Sequence, residues 1–202
     1  MRGIENIPWL YDGMTAIMDL LGLRTWRRAL VADVGGPVLE VGCGTGRNLP
    51  LYGCRARVVG LEPDEAALAR ARRRRPGTTL VLGSVEALPF RSRSFGTVVS
   101  SLVFCSVNDP AAGLREVRRV LKPEGELRML EHVRDPRPRW GTLQDALQPI
   151  WTRVTGGCRP NRRTEMTVMA AGFLVTVDPR SNRVLRLFRG RIPPGPPSRR
   201  RA

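Results

Sequence analysis

Three glycines alternate in the stretch LEVGCGTG at residues 39–46, and an acid, Glu40, stands just before them. Glycines leave the main chain bare, so a ligand can lie directly against it. A second acid, Glu62, ends the later apolar run RVVGLE. A carboxylate about 20 residues past such a turn can accept both hydroxyls of a ribose. The spacing G-x-G-x-G at Gly42, Gly44 and Gly46 departs from the dinucleotide pattern G-x-G-x-x-G, and Arg47 and Asn48 follow where a phosphate loop needs a lysine. Glu40 would repel a pyrophosphate and attract a cation. The pattern asks for a ribose-bearing ligand, positively charged near the glycines and without phosphate.

The elements that must hold these groups follow from periodicity. Leu10, Met14, Ile17, Met18, Leu21 and Leu30 recur at helical spacing over residues 7–31, with a break at Gly22. PVLEVG, RVVGLE, TLVLG (79–83), TVVSSLVF (97–104) and ELRMLEHV read as strands. A short helix is predicted from Arg47 and Asn48. Pro63 and Asp64 open a longer one that Pro76 and Gly77 end, and Asp109 and Pro110 open another through Leu121. Residues 140–170 are predicted helical with an interruption at GGCRPN. FLVTVD (173–178) and RVLRLF (183–188) read as a hairpin at the sheet edge. Strands alternating with helices predict an α/β, Rossmann-like, doubly wound and mostly parallel sheet, closed by a C-terminal antiparallel hairpin. In such sheets ligands bind beyond the carboxyl ends of the strands, where LEVGCGTG sits.

Composition bounds the function. The chain has 202 residues, 42% hydrophobic, enough for one core, and no apolar run long enough to span a membrane. The opening residues do not read as a secretion signal, so none is expected. Four scattered cysteines and one histidine make a zinc site improbable, so no metal is expected. Free thiols suit a cytoplasmic protein. The net charge of +16 comes almost wholly from arginine, Lys122 being the only lysine. That charge reads mainly as solvated surface.

S-adenosylmethionine (SAM) combines a ribose, a sulfonium and an ammonium, and so matches the ligand profile. Over about Trp9 to Phe173 the sequence resembles the class I SAM-dependent methyltransferases. LEVGCGTG and GLEPDEAAL resemble the first two motifs, GSVEALPFRSRSFGTVVSSLVFCSV the third and fourth, and LREVRRVLKPEGELRMLEHV the fifth. SLVFCSV, EHV and the set Trp140, Gln144, Leu147, Pro149, Trp151, Gly157, Cys158, Arg163 and Thr164 are most similar to the thiol-methyltransferase-like (methyltransferase-like 7) branch. The resemblance implies SAM as cofactor. It places Gly42, Cys43, Gly44 and Gly46 at the methionine side, with Glu40 taking the ammonium directly or through water. Glu62 and Pro63 fall at the ribose, Ser84, Val85 and Glu86 beside adenine, and Ser101 and Leu102 at the methionine portion. Two departures stand out: Ser84 replaces an acid, and Gly96 makes SFG of the usual SFD.

No catalytic residue is fixed by the motifs. His132, after the fifth strand, is the candidate base. Tyr11 on the N-terminal helix and Cys105 after the fourth strand join it as candidates for the substrate pocket. The expected function is methyl transfer to a small or lipophilic acceptor: a thiol, a quinone precursor or a phospholipid headgroup. A nucleic-acid methyltransferase is the rival suggested by charge, but base-stacking aromatics are few and no NPPY-type motif ends the fourth strand. A SAM-binding protein without catalysis is the other. The expected organisation is one methyltransferase domain over 1–190, with a helical lid at 1–35 and a core at 37–190, then a disordered basic tail at 191–202. The expected location is cytoplasmic, any membrane contact being peripheral through the first helix and the arginines.

Overall fold

The computed structural model describes residues 7–194, apart from the side chains of Pro8 and Tyr11. Pro8 opens α1 (Pro8–Met18), at a position where a missing N–H costs nothing. The helix passes through a wide turn, Asp19–Leu23, into α2 (Arg24–Val31). Gly22 in that turn has φ 116°, so the predicted break at Gly22 is present. There follow β1 (Gly36–Val41), a single 3₁₀ turn (Leu49–Leu51), β2 (Ala56–Glu62), α3 (Glu65–Arg74), β3 (Thr79–Leu82), β4 (Phe95–Ser101) and α4 (Pro110–Val120). The chain ends with β5 (Leu121–His132), α5 (Pro138–Thr155), α6 (Thr164–Ala170), β6 (Leu174–Val177) and β7 (Leu185–Arg191).

Local chemistry explains the helix starts. The Asp64 carboxylate accepts from the N–H groups of Ala66 (2.8 Å) and Ala67 (3.3 Å), and Asp109 accepts from Ala112 N–H (2.9 Å). The helix predicted from Arg47 is only the 3₁₀ turn, because Pro50 lies inside it and Gly53 follows.

One seven-stranded sheet runs β3-β2-β1-β4-β5-β7-β6. The first five strands pair in parallel, and β7 pairs antiparallel with both β5 and β6. The predicted hairpin is therefore present, with its second strand inserted against β5. The strand order reverses between β1 and β4, so their carboxyl ends flank one crevice. Leu114, Val117, Val120, Phe104, Val168 and Phe173 build the core on one face, while Leu23, Leu30, Val31, Leu49, Tyr52 and Ala71 build it on the other. The first helices bury less than their spacing predicts: Leu30 is buried, yet Ile17 and Leu21 are 61% and 82% exposed. Arg191 belongs to β7; the rest of the expected tail from residue 195, and residues 1–6 of the expected lid, lie outside the described residues.

Candidate active site

A cavity of about 950 Å³ opens at the carboxyl ends of β1, β2 and β4. Of the residues predicted to bind the cofactor, Gly42, Gly44, Glu62, Pro63, Ser84, Val85, Glu86, Ser101 and Leu102 all line it. A Cβ on Gly42, at φ 60°, would come within 2.5 Å of Val103. Gly44, at φ 53°, has open space where its Cβ would be, as a ligand cradle requires.

Glu62 stands at the tip of β2. Its Oε2 accepts from Gly44 N–H at 2.9 Å and its Oε1 from Asp64 N–H at 3.2 Å. The two amides hold the carboxylate in place and leave each oxygen a further lone pair. Burial raises its pKa, against those bonds. On the next wall the Ser84 hydroxyl donates to Glu86 Oε2 at 2.7 Å, and Asp109 N–H donates to Oε1 at 2.7 Å. The Ser84 hydroxyl thus holds the Glu86 carboxylate beside it on the cavity wall.

Glu40, Cys43 and Gly46 are not in the cavity wall. Cys43 is buried against Gly60, and burial lifts its thiol well above the ordinary range. Gly46 lets the loop meet α3: a Cβ there would sit 2.9 Å from Ala71. Glu40 is 1% exposed and accepts from the Asn48 amide at 2.9 Å. Arg27 donates to both Asn48 Oδ1 and Ser101 Oγ at 3.0 Å, so Glu40 reaches the cavity wall through Asn48, Arg27 and Ser101. Burial pushes its carboxyl up to about 7, against the nearby Tyr52 hydroxyl, Asn48 and the Arg27 charge. Its Oε2 and the Tyr52 hydroxyl are buried without completing a hydrogen bond. An orphaned carboxylate oxygen, a bare loop and a fixed acid at β2 together fit a ribose-bearing cation.

Several contributors were not read from the sequence. Asp12 of α1 accepts from Thr45 Oγ at 2.6 Å and pairs with Arg47, Arg70 and Arg74 at 3.2–3.3 Å. Burial pushes its carboxyl up, but the Thr45 hydroxyl and the guanidinium groups of Arg74 and Arg47 outweigh this and hold it low. Thr45 lines the cavity, so α1 is fastened directly to the glycine loop. Asp19 joins this network through Arg27 (3.1 Å) and Arg47 (2.9 Å). Leu102, itself expected at the methionine portion, holds φ 59°, a strained conformation fixed by its N–H bond to Leu130 O at 2.7 Å.

Glu131, fully buried, gathers the turn after β4. It accepts from Ser100 Oγ (2.9 Å) and from the N–H groups of Val103 (3.1 Å), Phe104 (3.1 Å) and Cys105 (3.3 Å). Replacing it with alanine would strand buried donors, each worth about 1–3 kcal/mol. Glu131→Ala is expected to lose ~3 kcal/mol or more, read as a lower urea midpoint with an unchanged slope.

The other pocket candidates gather behind the far wall. Cys105 is 1% exposed and Cys158 4%. Arg159 N–H donates to Cys105 O at 2.8 Å, which fastens the GGCRP loop to the turn after β4. Cys158 is held below the ordinary thiol range by the Cys105 thiol, against burial, with help from His132 and Trp151. The same contact and burial raise Cys105. His132 is half-buried; neither it nor Cys105 is in the cavity wall, but Ser106, Val107, Asn108, Thr152, Gly156, Gly157 and Arg159 around them are. The Tyr11 side chain lies outside the described residues.

Known proteins agree with this architecture. A methyltransferase-domain family model matches residues 39–138. The human thiol S-methyltransferase TMT1B is 35% identical over 144 residues, covering 67% of this chain and 59% of that protein. The demethylmenaquinone methyltransferase of Renibacterium salmoninarum is 36% identical over 132 residues, covering 63% and 56%. The chain thus spans less than two thirds of the length of these curated relatives. Among solved structures, a SAM-dependent methyltransferase from Thermotoga maritima aligns with a TM-score of 0.64 at 24% identity, covering 82% of this chain and 86% of its own. The [4+2]-cyclase SpnF aligns at 0.67 and 19%, covering 85% and 82%, so the fold alone does not fix the chemistry. Fold, motifs and relatives together show that the chain belongs to the class I SAM-dependent methyltransferases.

Proposed function

We propose that this protein transfers a methyl group from SAM to a small or lipophilic acceptor, a thiol or a quinone precursor first, with a phospholipid headgroup of the same class. The carrying observation is a single cavity that joins Gly44 and Glu62 to the wall at Ser106, Thr152 and Arg159. The relatives named as thiol and demethylmenaquinone methyltransferases support that acceptor class.

SAM would supply a methyl group on a sulfonium, already a good leaving group. Gly44 would give it room, Glu62 would accept from its ribose, and Glu86 and Val85 would border its adenine. Glu40 would balance its ammonium directly or through water. The far wall would hold the acceptor against the methyl donor, and this alignment would be the main catalytic contribution. We assign His132 a positioning role through Cys158, whose neighbours Gly157 and Arg159 line the cavity. We place the enzyme in the cytoplasm, meeting lipophilic acceptors at a membrane surface.

The test is a panel of acceptors with radiolabelled methyl donor, thiols first, after exhaustive chelation. Transfer to thiols or quinone precursors supports the reading. Cofactor binding without turnover on any acceptor, or turnover on RNA alone, rejects it. On an active acceptor, His132→Gln is expected to shift the pH–rate profile and lower kcat about tenfold or more, with the SAM dissociation constant unchanged.

A further inference from the structure

Helix α5 is built inside out. Trp140, Leu143, Leu147, Ile150, Trp151 and Val154 are 47–66% exposed. At ~100° per residue they share roughly a third of the circumference. Gly141 and Thr155 are its only buried residues. Its polar side faces the body instead. Gln144 Oε1 accepts from Asp135 N–H at 2.6 Å, Asp145 pairs with Arg134 at 2.8 Å, and Thr152 Oγ donates to Cys158 O at 2.9 Å. Among the described residues, no apolar packing against another element explains the stripe.

Charge says what covers it. Arg139 and Arg153 border the stripe, and neither forms an ion pair among the described residues. The helix's own acid, Asp145, is already neutralised by Arg134. The loop after it adds Arg159, Arg162 and Arg163, on a chain of net charge +16. An apolar face with two tryptophans, edged by arginines, matches a helix lying in the headgroup region of a bilayer. Among the described residues no helix is long and apolar enough to cross one.

We propose that the α5 face docks on an anionic lipid surface, which lays the helix, and the cavity-lining turn at Gly156 and Gly157 that follows it, along that surface. The purpose rests on the lipophilic-acceptor reading; the binding itself does not, because its assay needs neither acceptor nor cofactor.

The test is flotation of the full chain with vesicles of phosphatidylcholine alone or with one quarter phosphatidylglycerol. Wild type is expected to float with the anionic vesicles, less with neutral ones, and less as salt rises. Leu147→Glu/Ile150→Glu, two exposed positions away from the cavity, is expected to reduce flotation at least tenfold while leaving SAM affinity unchanged. Failure to float with either vesicle, or equal flotation of the double variant, overturns the proposal. So does a dimer that the double variant converts to monomer, since a second copy would then cover the face. Flotation with no methyl transfer on any acceptor would sink the acceptor reading and leave the docking surface standing.

Discussion

Glu62→Ala is expected to raise the SAM dissociation constant by about 10²–10⁴-fold, the largest effect of any single change in the cavity. The ribose would lose two charge-assisted hydrogen bonds at ~1.5–3 kcal/mol each. Gly44 N–H would lose its partner at the same time, so the loop itself would loosen. Glu62→Gln separates the two effects. It keeps an acceptor oxygen but brings an N–H donor to a place already facing Gly44 and Asp64 N–H groups. Its loss should fall between wild type and alanine. Calorimetric titration reads both variants, and an unchanged affinity for Glu62→Ala would remove the ribose assignment.

Glu40 carries the second large effect, and it depends on pH. Its carboxyl sits at about 7 in the fold, above the ordinary 4.5. A cationic ligand requires the ionised form, so SAM affinity should climb as pH rises through 7. Stability should move oppositely. The folded state holds this proton more tightly than the unfolded chain, so the stabilisation is complete below 4.5 and lost as pH rises through 7. Glu40→Gln can still accept from Asn48 but never ionises. At pH 8 it should be more stable than wild type, by on the order of 3 kcal/mol at most. It should also bind SAM about tenfold more weakly, with a flat pH dependence, if the ammonium is worth one charged hydrogen bond. Parallel melting and binding curves for the two proteins between pH 5.5 and 8.5 would refute both halves.

What was legible in the sequence was local. LEVGCGTG announces its own turn, because alternate glycines after a β-branched run allow little else, and Asp64 and Asp109 announce the helices they cap. The cofactor side was readable because its residues follow strand ends at short range. The clamp on Asp12 was not, since Arg47, Arg70 and Arg74 lie 35, 58 and 62 residues away. Glu131 was visible in EHV, but its partners lie in another strand and turn. Residues 140–170 read as helical, but nothing in the reading showed that the apolar side of α5 faces outward. Nor could it show that the Ser84 hydroxyl would bond the Glu86 carboxylate. Burial of Glu40 was equally hidden: a strand-end acid looks exposed until its neighbours close over it.

The cavity is unequally built. On the donor side Glu40, Glu62 and Glu86 are held by main-chain amides or buried side chains at and beside the strand ends. On the acceptor side, α5 is tied down by a few polar contacts and carries almost nothing of the core. Lineages bearing this scaffold can therefore exchange acceptors by rewriting one helix, at little cost to the methyl-donor half. Selection for a new acceptor in the laboratory should enrich changes between Pro138 and Cys158 and spare the strand ends.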